Sequence, residues 1–379
     1  MKSRSLHGRA FFGGLIRDHV TVTMAGETIV EVVAGPPPAN AERIEGVILP
    51  GFIDMHVHGA AGADFMDADS SSVSRITNHH VRHGTTALAA TTLSAAPAHL
   101  ASAVRTIATM AEKSVPGDSE IVGIHLEGPF LSPAKAGAQD VDSLRPADIV
   151  EVEELIRMAP GMRWVMTLAP EMDGAGTFIE RFHDEMVISI GHTNATFGEA
   201  LEAFDRGASH VTHLFNAMRP LHHREPGVIG AILTTEDVTA ELIADGVHVH
   251  PAVLRYFTQA LPGRICLVTD AIRACGMPHG TYSLYQHQVT VDDTGARLPN
   301  GNLAGSTLTM MQAVCNMVEL AGLPLEMIVP LATEVPARVL GVEERKGRLE
   351  VGFDADLVII SRQLALERVF ARGVEVVAA

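Results

Sequence analysis

The sequence predicts an α/β protein, a (β/α)8 barrel of the TIM type joined to a small β-sandwich domain that both termini build. Eight short apolar, β-rich runs recur along the middle of the 379 residues, each followed by a stretch of helical period. The two ends of the chain are β-rich without such helices. Six of the eight runs end in histidine, glutamate or aspartate, as expected of the C-terminal mouth of a barrel, where catalytic groups gather.

At the N-terminus, residues 15–24 and 28–33 alternate or run β-branched, and Gly26-Glu27 and Gly35-Pro36-Pro37-Pro38 supply turns, so both read as short strands. The barrel runs are 47–55, 85–92, 120–126, 164–168, 187–190, 210–214, 240–244 and 265–269. Helical stretches between them include 71–83, 98–113, 146–158, 178–184, 196–206 and 251–259, several with a Ser, Thr or Asp near the start to cap the first turn. Residues 282–302 alternate and hold Asn300-Gly301, which predicts a β-hairpin after the eighth strand. Residues 356–361 and 368–377 return to strand, with Gly352 and Gly373 as turn residues. The expected division is therefore residues 1–50 with 345–379 for the small domain and 51–344 for the barrel. A doubly wound sheet would want a glycine-rich phosphate loop after an early strand, and the sequence has none.

Hydrophobic residues make up 47% of the chain, too many for disorder, yet no run approaches the roughly 18 apolar residues of a membrane-spanning helix. In the first twenty residues Gly13, Gly14, Arg17 and Asp18 break up the apolar side chains, so no export signal is expected. Three cysteines, none at zinc-finger spacing, suit a reducing compartment, and a cytoplasmic location is expected. A net charge of −17 argues against nucleic acid or an anionic membrane as partner, while leaving room for a local basic pocket. The anomaly is the 19 histidines.

Several of these histidines fall where the barrel would use them. His56 and His58 stand two apart at the end of the first run, so their side chains share one face and can grip one ion. Glu127, His192 and His213 arrive at the same mouth from the third, fifth and sixth runs. Imidazoles with one carboxylate make a site suited to a divalent metal, Zn or Fe(II). Asp270 follows the eighth run, where a carboxylate facing the ion can take a proton from water and return it to a leaving group. His125 shares a face with Glu127 and is expected behind it, off the ion; most other histidines are expected to be solvated or hydrogen-bonded. No Gly-X-Ser-X-Gly elbow offers a nucleophilic serine.

At these residues the sequence resembles a known family. Residues 50–59 (PGFIDMHVHG) resemble the opening of the amidohydrolase superfamily and 352–358 (GFDADLV) its usual close. Within it, HLEGPF (125–130), GHTNA (191–195), THLFNAM (212–218), HHREPG (222–227) and LVTDA (267–271) resemble the N-acetylglucosamine-6-phosphate deacetylases. The resemblance implies Glu127, His192 and His213 as the main metal ligands and Asp270 as general acid/base. Family members hold one ion or two, and the retained His56 and His58 leave room for a second. It also implies substrate contacts at Ala138, Gln139, Asn216, Ala217, Arg224, Asp245, His248 and the Leu303-Ala304-Gly305 turn. The partner molecule would be a small amino-sugar phosphate, its phosphate held by Arg224 and His248, and the assembly a homodimer in which one of these residues reaches across. One departure stands out. Where the family usually reads Gly-Ala-His, with the histidine polarising the acetyl carbonyl, this sequence has Gly137-Ala138-Gln139. The Gln139 amide donates a hydrogen bond but carries no charge. A second metal, or a different N-acyl amino sugar such as the galactosamine epimer or an unphosphorylated sugar, are the readings this leaves open.

Overall fold

The computed structural model describes residues 3–378. Eight parallel strands lie side by side in chain order: Phe52–Val57, Thr85–Thr92, Glu120–Glu127, Arg163–Leu168, Val187–Ile190, His210–Val211, Thr239–Ile243 and Ile265–Val268. Helices cover them, and strands such as Thr85–Thr92 are buried along their whole length, which is why they read as unbroken apolar runs. The eighth strand returns to the first: Ala271 bridges Val57 on one side and Ser306 on the other. There the Asp270 N–H donates to His56 O at 2.9 Å, and the Thr269 hydroxyl donates to buried Asp54 at 2.5 Å.

The β-rich domain of both termini is present, and its seven strands form one continuous sheet. Its order is Val374–Val376, Leu366–Ala371, Leu357–Ile360, Glu42–Pro50, Ser3–Phe12, Leu15–Ala25 and Thr28–Ala34. Alternation assigns its two faces. Ile48, Leu357 and Ile359 join Leu6, Val20, Val22 and Phe370 in the domain's own core, while Val47, Leu49, Val358 and Ile360 pack into the barrel core.

The run at 47–55 is two strands, broken at Gly51, whose N–H donates to Asp356 O at 2.9 Å; its first half belongs to the terminal sheet. The sixth strand pairs only over His210–Val211, because the chain turns from Thr212 and His213 takes a left-handed φ of 26°. The hairpin at 282–302 is a three-stranded antiparallel sheet, Gly280–Leu284, His287–Asp292 and Gly295–Arg297. Helix Gly227–Thr234 escapes a periodicity reading because GVIGAILT is apolar around most of its circumference. Among the described residues no helix is long and apolar enough to cross a membrane.

A buried ion cluster ties the barrel to the terminal sheet. Lys346 Nζ lies 2.9 Å from Glu120, 2.7 Å from Asp354 and 2.6 Å from Asp356. Burial works to raise the Glu120 pKa, but Arg345 and Lys346 outweigh it and hold the carboxyl down to about 2. Lys346→Met would leave Arg345, paired with Glu120 and Asp354, as the cluster's remaining cation against three carboxylates. It is expected to destabilise the fold by about 3–5 kcal/mol, read from urea unfolding. Glu120's pKa is depressed in the fold, so its contribution is fully present above about pH 4.5 and is lost as pH falls toward about 2.

Candidate active site

The candidate residues meet at the C-terminal mouth of the barrel, around a cavity of about 430 Å3. His56 is the next-to-last residue of its strand and His58 lies just past the end, their Nε2 atoms 3.3 Å apart. Glu127 closes the third strand, with Oε1 3.1 Å from both His192 Nε2 and His213 Nε2, and Oε2 3.3 Å from His58 Nε2. Asp270 Oδ1 completes the group at 3.2 Å from His58 Nε2 and 3.5 Å from His56 Nε2. His192, His213 and Asp270 all hold left-handed backbone, with φ of 47°, 26° and 50°. Such a conformation costs a non-glycine residue on the order of 1–3 kcal/mol, and it turns each side chain over the mouth directly after its strand.

The donor set fits a divalent metal. His192 Nδ1 donates to Lys135 O at 3.0 Å and His56 Nδ1 to Glu241 at 2.8 Å, so both rings present the Nε2 lone pair inward. His192 Nε2 and His213 Nε2 then face each other at 3.1 Å, an arrangement that a shared cation satisfies. Ligand atoms about 2.0–2.1 Å from a tetrahedral ion stand about 3.3 Å from one another, and the separations here run from 3.1 to 3.5 Å. Two groupings share Glu127: with His56 and His58, and with His192 and His213.

Electrostatics agree with this. Burial would raise Glu127, yet His56 and His192 hold it well below the usual carboxylate range. Burial would lower His56, yet Glu241, Glu127 and Asp270 raise it to about 9. The carboxylates thus draw positive charge to one point, the condition a divalent cation meets. His125 lies behind them, its Nδ1 on Met55 O at 3.2 Å and its Nε2 on the Thr167 hydroxyl at 2.7 Å. Burial pushes its pKa down to about 3, so it stays neutral with both nitrogens engaged.

The residues expected to touch substrate divide. Ala138, Gln139, Asn216, Ala217, His248, Leu303 and Gly305 line the cavity. Gly305 has φ +59°, and a Cβ there would stand 2.5 Å from Ile272 and 2.8 Å from Asp270 O, so only glycine lets this turn pack against the Asp270 backbone. Three others stand off this chain's own cavity wall. Asp245 sits behind His248, accepting from its Nδ1 at 2.6 Å and orienting the ring, rather than facing the cavity. Ala304 is fully buried between Leu303 and Gly305. Arg224 lies on the exposed loop after Leu221, bonded to His223, outside its own chain's cavity.

Gln139 has a further partner. Its Oε1 accepts the Ser94 N–H at 2.7 Å, which turns its amide nitrogen onto Glu127 Oε2 at 2.5 Å. One of its two N–H groups therefore braces Glu127. Sequence reasoning missed Lys135, which brings a cation to the cavity wall, the apolar lining of Leu93, Phe215, Ile272 and Leu284, and Glu241 beneath the histidines. Glu241 was legible as a lone charge inside the apolar run 240–244.

The Amidohydrolase family matches residues 47–376. The N-acetylglucosamine-6-phosphate deacetylase of Bacillus subtilis (strain 168) is 40% identical over 334 residues, covering 87% of this chain and 84% of the relative. The N-acetylgalactosamine-6-phosphate deacetylase of Escherichia coli O157:H7 is 36% identical over 361 residues, 95% of each chain. Among solved structures, a mutant N-acetyl-D-glucosamine-6-phosphate deacetylase from Mycobacterium smegmatis, in complex with N-acetyl-D-glucosamine-6-phosphate, is similar over 100% of both chains, with a TM-score of 0.94 and 36% identity. With a family match across most of its length and relatives this similar over nearly all of it, the chain belongs to the amidohydrolase family and is an enzyme that hydrolyses amide bonds.

Proposed function

We propose that this enzyme hydrolyses the acetamide of N-acetyl-D-glucosamine 6-phosphate to D-glucosamine 6-phosphate and acetate. The observation that carries the reading is the convergence of four imidazole Nε2 atoms, Glu127 and Asp270 on one point of the cavity. Glu127, His192 and His213 would hold a Zn or Fe(II) ion, with His56 and His58 available to a second that shares Glu127. When bound, such an ion polarises the carbonyl and brings the pKa of its water from about 15.7 toward 7.

The chain's own residues supply the rest. Asp270, whose pKa His56 and His58 lower despite burial, is ionised at neutral pH and takes a proton from the attacking water on a carboxylate oxygen. As the C–O bond forms and the C–N bond breaks, Asp270 passes that proton to the departing nitrogen, which leaves as an amine rather than an amide anion. The second N–H of Gln139 remains for the acetyl oxygen. The turn at Leu303 and Gly305, with Asn216 and Ala217, encloses the sugar.

Besides the candidate ligand histidines, the cavity wall of one chain offers two side chains able to carry positive charge, Lys135 and His248. We assign Arg224 to the phosphate bound in the cavity of a second copy, so the working unit is a homodimer. Arg224→Ala is expected to raise KM for the phosphorylated sugar about tenfold or more with little change in kcat, measured by acetate release. An unchanged KM removes the phosphate contact. A second reading, the galactosamine 6-phosphate epimer, is favoured by the Escherichia coli relative's match over 95% of each chain. Relative kcat/KM on the two epimers decides between them.

A further inference from the structure

We propose that Glu241 is the positioning residue of the metal centre, presenting His56 as a ligand and fixing His213 beside it. The inference rests on the reading that His56, His58 and Glu127 hold a divalent ion. Glu241 lies on the seventh barrel strand, fully buried, and does not line the cavity. Its Oε2 accepts two hydrogen bonds, from His56 Nδ1 at 2.8 Å and from the His213 backbone N–H at 2.9 Å. Its Oε1 stands 3.5 Å from His210 Nε2, and its carbonyl accepts the Leu214 N–H at 2.9 Å.

A buried charge is costly unless it is paired, and the neighbouring positions of this strand, Ala240, Leu242 and Ile243, are apolar and equally buried. Packing therefore gives no reason for a carboxylate here, whereas the two half-sites do. A carboxylate on Nδ1 keeps the proton on that nitrogen and leaves the Nε2 lone pair for an ion, and it makes the ring a stronger donor. The same oxygen pins His213 where its backbone turns to φ 26°, so one side chain sets a ligand in each of the two groupings around Glu127.

The test is Zn2+ titration of the full chain against a competing chromophoric chelator, for wild type, Glu241→Gln, Glu241→Asp and His56→Asn. Glutamine keeps the shape and removes the charge; aspartate keeps the charge and withdraws it by one methylene. Both Glu241 variants are expected to weaken Zn2+ binding by about 10–100-fold at the His56 grouping and, through His213, to weaken the second grouping as well. Nitrogen-15 NMR of histidine-labelled, Zn2+-loaded wild type is expected to show His56 protonated at Nδ1, a signal that a purely structural role would not require and that does not depend on any variant folding. Wild-type Zn2+ affinity in the Glu241 variants, where His56→Asn loses the ion, overturns this inference alone, as does a His56 protonated at Nε2. Unchanged Zn2+ binding in His56→Asn instead overturns the ligand reading beneath it, and the inference falls with it.

Discussion

Asp270→Asn is expected to lower kcat by about 10^3-fold, within the 10^2–10^4 usual for a positioned acid/base, while metal content and KM stay near wild type. Asparagine fills the same volume and keeps an oxygen toward His58, whose Nε2 lies 3.2 Å from Asp270 Oδ1. What it cannot do is accept a proton and return it. Both halves of the reaction need that exchange: the water must lose a proton to attack, and the amine must gain one to leave. The backbone that carries Asp270 is held independently, by its N–H on His56 O at 2.9 Å and by Ser306 N–H on its carbonyl at 2.7 Å, so the substitution leaves the site's shape intact. Single-turnover acetate release with metal quantified in the same sample reads the effect. Activity within tenfold of wild type would remove Asp270 from the acid/base role.

Glu127→Gln is expected to lower Zn2+ affinity by more than the roughly 100-fold that loss of an outer partner costs, with kcat falling in step. Glu127 is the one residue common to both groupings of candidate ligands. Removing its charge weakens both at once, whereas His56→Asn or His192→Asn touches one. The neutral amide also puts an N–H donor on a group that is approached by Gln139 Nε2 at 2.5 Å and by two imidazoles at 3.1 Å. Metal per chain after dialysis is the measurement, with thermal unfolding of the metal-free protein to show that the barrel is intact. Wild-type metal content would move the centre away from Glu127.

Much of this site was legible because parallel strands expose their chemistry at one end. His56, Glu127, His192 and Asp270 each follow an apolar run and His213 falls near the end of one, and the barrel brings run ends together whatever their separation in sequence. Asp245, Ala304 and Arg224 were less legible, because proximity along the chain to a true wall residue does not say which way a side chain turns. Asp245 hydrogen-bonds His248 and so faces it, and Arg224 sits on a loop whose path no periodicity specifies. Gln139 needed the Ser94 N–H to orient its amide, a contact between residues 45 apart. The break at Gly51 was hidden because both halves of the run 47–55 are largely apolar, the first a strand of the terminal sheet that sends Val47 and Leu49 into the barrel core, the second a strand of the barrel itself.

Acetate release by the Zn2+- or Fe(II)-loaded enzyme, from N-acetylglucosamine 6-phosphate, N-acetylgalactosamine 6-phosphate and the two unphosphorylated sugars, tests the central claim most directly. The account predicts metal-dependent release with the highest kcat/KM on N-acetylglucosamine 6-phosphate, at least tenfold above either unphosphorylated sugar, and its loss on chelation. A metal-loaded enzyme that released acetate from neither phosphorylated sugar would contradict it.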